Sequence, residues 1–166
     1  VKIEQHVTAC FEEWREPVYR YLVASFGYPA QADEITQETF LKLYRTLRQG
    51  ETIANTRAWV FRVAHNLAVD QLRGRKFVTS LSEEEWVSLR QSLTDGAPSP
   101  EEQLLGLERN RRLDQAIAAL ALQERQCLHL RLRGLRYREI AEVLGTNIPM
   151  VARTLQRVIE QLARKQ

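Results

Sequence analysis

Apolar residues recur along most of this chain at helical spacing, and no alternating pattern of useful length appears. The spacing predicts helices over residues 4–26, 31–48, 56–75, 101–120, 122–133, 137–144 and 149–164. The clearest stretch lies at the C-terminal end. There Ile140, Ala141 and Leu144 form an apolar patch, and Gly145 stands where a helix would end in a left-handed residue. Asn147 can cap the next helix, and Pro149 falls in its first turn, where a missing N–H is harmless. Val151, Leu155, Val158 and Leu162 then repeat at i, i+4, i+7 and i+11 as a stripe that must be buried. The opposite face carries Met150, Arg153, Thr154 and Arg157, while Arg136 and Arg138 open the preceding helix where a phosphate could lie. Two short helices about a tight turn, the second presenting polar side chains, is the layout of a helix-turn-helix. An ordinary helical hairpin with a solvated basic face has the same pattern.

Two earlier segments carry further chemistry. On 33–44, Phe40, Leu43, Tyr44 and Leu47 mark an apolar face, and Asp33, Glu34, Gln37, Glu38 and Leu41 fall on another. Spacing alone makes the latter a solvent face. In the helix from Thr56, the seam of Val60, Val63, Ala64 and Leu67 leaves Arg62, Asn66, Asp70 and Arg73 along a separate edge. That edge offers cations to phosphates and an amide that can donate to and accept from a base. Trp59 and Phe61 could stack on unpaired bases, or pack in the core, the latter being favoured for Phe61.

Composition divides the 166 residues into two helical groups. Formal charge is +2 over residues 1–76, −5 over 77–107 and +6 over 108–166, so a net charge of +3 conceals a basic C-terminal third suited to a phosphate-bearing partner. Between the groups, FVTSLSEEEWVSLRQSLTDGAPSP contains Asp-Gly, two prolines and several serines. This reads as an acidic linker over 77–100, with a short helix around 83–93. Order restarts at Ser99-Pro100-Glu101-Glu102, a cap, a first-turn proline and two carboxylates at the positive end of the helix dipole. Cys10 and Cys127 are widely separated and outside any CxxC or Cys/His cluster, and His6, His65 and His129 are scattered. No metal site, cofactor or catalytic residue is expected. No apolar run approaches 18 residues and no charged-then-apolar leader is present, so neither a membrane span nor a signal peptide is expected, and the expected location is cytoplasmic.

Taken in order, DEITQETFLKLYRTL from Asp33, TRAWVFRVAHNLAVDQLRGRK from Thr56, and ALQERQCLHLRLRGLRYREIAEVLG leading into the helix-turn-helix resemble a bacterial sigma-70 family RNA polymerase sigma factor of the small extracytoplasmic-function (ECF, group four) type. The resemblance implies an all-α fold of two small helical domains. Residues 1–76 would be a region-two-like domain that docks on core polymerase and recognises and melts the minus-ten element. Residues 101–166 would be a region-four-like helix-turn-helix domain that reads the minus-thirty-five element, and the linker would thread toward the active-site cleft.

By the same resemblance, Asp33, Glu34, Gln37, Glu38 and Leu41 match the surface that meets the β′ clamp helices, replacing the solvent reading. Trp59, Arg62, Asn66, Asp70 and Arg73 match the minus-ten DNA surface, and the loop Gln49 to Asn55 matches the element that holds a flipped-out base. Arg136, Arg138, Met150, Arg153, Thr154 and Arg157 are the corresponding minus-thirty-five candidates. Core RNA polymerase, through its β′ clamp helices and β flap, promoter DNA and an anti-sigma factor are the implied partners, with nucleoid association in the holoenzyme. The chain departs from the family at Pro149-Met150-Val151-Ala152-Arg153-Thr154, where relatives usually carry Gly-Thr-Val-Lys/Arg-Ser-Arg. The cation moves one position, about 100° round the helix. An unusual minus-thirty-five sequence, or weaker dependence on it, is expected.

The alternative is a helix-turn-helix repressor or activator that binds duplex DNA without polymerase. A serine recombinase would need an α/β domain with a nucleophilic serine beside clustered arginines, which the N-terminal half lacks. A module that mimics a sigma factor without initiating remains a third reading.

Overall fold

The computed structural model describes residues 2–71 and 111–164, all of which are helix or short connection. The linker 77–100, the helix around 83–93, the Ser99-Pro100 start, Arg73 and the ends of helices 56–75 and 101–120 lie outside the described residues.

Helix α1, Lys2–Phe26, runs through Pro17, whose ring leaves the Glu13 carbonyl without its usual donor. Its C-terminal half holds because every residue from Val18 to Phe26 except the half-buried Tyr19 and Arg20 is buried. Gly27 at φ 77° closes the helix, with its N–H donating to the Val23 carbonyl at 2.8 Å. Pro29 then opens α2, Pro29–Arg48. Thr36 and Thr39 are buried in α2, and each hydroxyl donates to the carbonyl four residues back at 2.7 Å, so neither is an orphan. Phe11 meets Phe40 edge-on at 5.2 Å, joining the first two helices.

Helix α3, Thr56–Gln71, is capped by Asn55, whose side-chain oxygen accepts the Ala58 N–H at 3.1 Å. Val60, Phe61, Ala64 and Ala68 are buried, and Tyr21 of α1 packs edge-to-face on Phe61. Phe61 is therefore a core residue, the reading favoured for it, while Val63 and Leu67 of the expected seam are only half-buried. Tyr21 also lies 2.8 Å from His65 Nδ1. Burial pushes the phenol well up and pulls the imidazole down to about 4, so the phenol donates to a neutral ring.

In the C-terminal half, α4 is described over 111–118, followed by α5 (Leu122–Leu132), α6 (Tyr137–Leu144) and α7 (Ile148–Arg164). Ile117, Leu120 and Val158, with Leu128 and Leu162 against them, hold α4 and α5 to α7. The rest of this half joins the N-terminal half: α1 lies against α5, α3 lies against α6, and one apolar cluster runs through both. An apolar cluster that runs through both helical groups, beside a smaller one holding α4 and α5 to α7, is an arrangement that amphipathic patterning did not specify.

Candidate nucleic-acid interface

The helix-turn-helix is built as its sequence suggests. Glu139 at the third position of α6 accepts the Arg136 N–H at 2.9 Å, completing half a capping box. Ile140 and Ala141 are buried, Leu144 packs on the core, and Val143, absent from the predicted patch, is buried too. Gly145 ends α6 in the left-handed region at φ 68°, where a side chain would be strained. The Asn147 side chain accepts the Met150 N–H at 2.9 Å and so starts α7. Val151, Leu155 and Val158 are buried as the stripe requires, with Leu162 half-buried.

The recognition face is narrower than expected. Arg153 and Arg157 are exposed and Met150 half-exposed, but Thr154 is only 2% exposed. Thr154 lies three residues after Val151 and four before Val158, which places it on the buried side of the boundary rather than toward a base edge. It is removed from the set of outward-facing candidates. Its hydroxyl accepts from Arg157 at 3.4 Å, and Arg157 also lies 3.9 Å from Glu124 at the start of α5. Arg157 is thus oriented by its own domain, while Arg153 reaches back only to the Met150 sulfur at 3.2 Å. Arg136 and Arg138 are exposed at the head of α6.

Part of the basic character of the C-terminal third is internal. Arg125 is 2% exposed, and its Nε and Nη1 make no hydrogen bond. Burial pulls this guanidinium down from its ordinary value. The surface available for phosphates is accordingly less basic than the charge count of that segment implies.

On the N-terminal half, Arg62, Asn66 and Asp70 are all exposed, at i, i+4 and i+8 along α3, and form one continuous edge. Trp59 is half-buried against the core, so the structure leaves it only partly presented. The loop ahead of α3 is exposed at Glu51, Thr52, Ala54 and Asn55 and anchored by Ile53, which packs on the core. Gly50 turns the chain into it at φ 86°.

The face of α2 behaves as a third surface. Asp33, Glu34 and Gln37 are exposed, with Gln37 donating to Asp33 at 3.2 Å, and Glu38 pairs with Arg45 at 3.6 Å. Leu41, 50% exposed, sits among these polar groups at the lip of an apolar groove of about 410 Å³ that includes Phe11 and Phe40. An exposed leucine beside an apolar groove is uncommon on a purely solvated face.

Sequence reasoning missed Arg57 and Glu139. Glu139 also receives Arg57 Nε and Asn55 Nδ2, each at 3.1 Å, across the two helical groups. Burial pushes this carboxyl up, but the bonds from Arg57, the Arg136 N–H and Asn55 outweigh that and hold it below the usual carboxylate range. The Arg-x-x-Glu capping signal marked Glu139 locally, and nothing local named Arg57 as its partner. Among the described residues, no group of three or more His, Cys, Asp or Glu side chains converges to hold a metal, and no helix is long and apolar enough to cross a membrane.

An N-terminal bundle with an exposed polar edge and a C-terminal helix-turn-helix define a class of DNA-associated helical protein, and comparison with known proteins gives the family. The sigma-70 region 2 model matches residues 10–78, and the sigma-70 region 4 model matches residues 110–162. The chain is 30% identical over 159 residues to the ECF RNA polymerase sigma factor BldN of Streptomyces coelicolor, covering 93% of this chain and 58% of BldN. It is 31% identical over 139 residues to the ECF sigma factor SigL of Mycobacterium tuberculosis, covering 82% of this chain and 75% of SigL. It is 33% identical over 132 residues to the ferric citrate uptake sigma factor FecI of Escherichia coli, covering 78% and 72%. The chain belongs to the sigma-70 family, among its ECF members. It spans little more than half the length of BldN.

Proposed function

We propose that this chain is a non-enzymatic transcription initiation factor that binds core RNA polymerase, directs it to promoters and stabilises the melted bubble. In this reading residues 1–76 dock on the polymerase and capture the minus-ten element, residues 77–100 form the acidic connection, and residues 101–166 anchor the minus-thirty-five element. The observation that carries it is the exposed Arg62–Asn66–Asp70 edge on a helix pinned from behind by Phe61 and Ala64, preceded by an exposed loop, on a chain that also carries a complete helix-turn-helix.

The energetics fit single-strand capture. Opening a base-pair step costs about 1.4 kcal/mol, and stacking a released base on an aromatic returns about 1–3 kcal/mol. Trp59 supplies such a face, Arg62 a cation for the backbone, and Asn66 an amide for a base edge. One or two pocketed bases then offset much of the local cost of melting without ATP. Asp33, Glu34, Gln37 and Glu38, with Leu41 as an apolar anchor, would meet the β′ clamp helices, and the helix-turn-helix half the β flap. Arg136, Arg138, Arg153 and Arg157 would hold the duplex, with Met150 at the base edges. In the same reading the protein works in the cytoplasm at the nucleoid, and an anti-sigma factor would be its controlling partner.

The test is a gel shift on duplex promoter DNA with and without core polymerase. A sigma factor shifts the DNA only together with core enzyme and co-elutes with it. A retarded band from the protein alone at the same salt, with no co-elution, would favour an operator-binding repressor.

A further inference from the structure

Three strips of different chemistry run along α7. Val151, Thr154, Leu155 and Val158 form the buried one. On one flank of it Met150, Arg153 and Arg157 follow at i, i+3 and i+7. Arg153 reaches back to the Met150 sulfur at 3.2 Å, and Arg157 to the Thr154 hydroxyl at 3.4 Å and toward Glu124 at 3.9 Å. On the other flank Ile148, Ala152 and Gln156 follow at i, i+4 and i+8. Ile148 is 47% exposed, Ala152 is half-buried and Gln156 is exposed. Pro149, also exposed, lies between the two flanks in the first turn.

We propose that the Ile148–Ala152–Gln156 strip is the sequence-reading edge of α7, and that it reads thymine methyl groups and adenine, so that the upstream element is a run of A·T pairs. This rests on the sigma-factor reading, which puts α7 on promoter DNA. A recognition helix enters the major groove by its N-terminal turns. In that groove thymine presents a methyl group, and adenine offers N6 and N7 to both atoms of a side-chain amide. Ile148, Pro149 and Ala152 bring only carbon to the base edges. Against a thymine methyl they bury apolar surface, whereas against a G·C pair they leave desolvated donors and acceptors without a partner.

Gln156 supplies the amide one turn further on. The Asn147 amide is nearer the start of the helix, but its oxygen is held by the Met150 N–H at 2.9 Å. Guanine is most often read by an arginine or lysine held on O6 and N7. Arg153 and Arg157 both stand on the opposite flank, where they suit phosphates, which position the helix and carry no sequence information. Ile148 and Gln156 are eight residues apart, about 12 Å along the helix, the rise of roughly three or four base pairs. That is the length of A·T run the strip covers.

The experiment is selection on duplexes randomised across the promoter region, with the full chain alone and with the chain plus core polymerase. The enriched duplex is then resynthesised with deoxyuridine for thymidine in its upstream element only, which removes the methyl group and nothing else. Selection with core enzyme should enrich an upstream run of A·T pairs, and deoxyuridine should weaken binding about fourfold for each methyl contacted. Where cytosine is placed at a contacted thymine, 5-methylcytosine should recover part of the loss. Ile148→Ser, at an exposed position, should shrink the thymine–uridine ratio by about fourfold. Gln156→Ala should relax the preference for adenine by about five- to 150-fold. Neither should change the salt slope, since neither removes a charge. An enriched upstream element of G·C pairs, no upstream enrichment in either arm, equal affinity for thymine and uridine duplexes, or a ratio and preference that both variants leave intact overturns the proposal. A methyl-dependent A·T element enriched by the chain alone, to which core polymerase adds nothing, would leave the strip standing and refute the sigma-factor reading.

Discussion

Replacing His65 by glutamine tests the packing that fixes α3 and its exposed Arg62–Asn66–Asp70 edge. His65 lies on α3 against Tyr21 and Phe26 of α1, with ring centroids 6.1 and 5.8 Å away, and burial holds its pKa at about 4 against an ordinary 6.5. Below pH 6.5 the unfolded chain takes up a proton that the folded chain refuses, so this residue destabilises the fold as pH falls from 6.5 to 4 and adds no further loss below that. The slope approaches about 1.4 kcal/mol per pH unit, and the accumulated loss from pH 7 to pH 5 is about 2 kcal/mol. His129, pulled down to about 3 first by burial and then by Arg133 and Arg125, acts in the same direction. Glu139, whose pKa is depressed, contributes stability that is present above about 4.5 and lost only below it, so the window from pH 5 to 7 isolates the histidines. Glutamine retains an acceptor for the Tyr21 phenol and does not titrate. Urea unfolding of both proteins at pH 7 and pH 5 should show the loss reduced by about 2 kcal/mol in His65→Gln. Equal losses in the two proteins would refute the account of the buried neutral imidazole.

Three further outcomes follow from the surfaces described. Asn66→Ala should lower permanganate reactivity of promoter thymines at least several-fold while leaving core co-elution unchanged, since Asn66 is exposed and bears no packing role; equal reactivity would remove it from the minus-ten surface. Glu38→Lys should weaken association with core polymerase, read by co-elution or a titration, and an unaltered affinity would count against docking through α2. Arg153→Ala should weaken promoter binding and reduce its salt slope by about one, whereas Thr154→Val, at a buried position, should leave the slope unchanged; a loss in both would restore Thr154 to the DNA face.

Local rules carried most of the helical plan into the sequence. The span Tyr137–Leu144, the left-handed Gly145 and the Asn147 cap each depend on residues within one turn, and each stands where its local signal put it. The seam of α3 was legible only in part: Val60 and Ala64 are buried where spacing put them, but Phe61 and Ala68 complete the buried face while Val63 and Leu67 are half-buried. Thr154 was not legible, because a residue on the border of an amphipathic stripe turns inward or outward according to what packs beside it. Here Thr154 is 2% exposed, while Arg157, which donates to its hydroxyl, stays exposed within 3.9 Å of Glu124 of α5. The seam between the halves was hidden for a related reason. Arg57 and Glu139 are 82 positions apart, and each has a sufficient local explanation as a first-turn or capping residue. The buried Arg125 shows the same limit for charge counting, which cannot distinguish a surface cation from an internal one.

The most direct measurement is run-off transcription from a random promoter library with purified core polymerase, with and without this protein, followed by sequencing of the start sites. The account predicts new start sites that appear only with the protein and share a common minus-ten-type sequence, with a weak or atypical element further upstream. Start sites identical in the two reactions would contradict it.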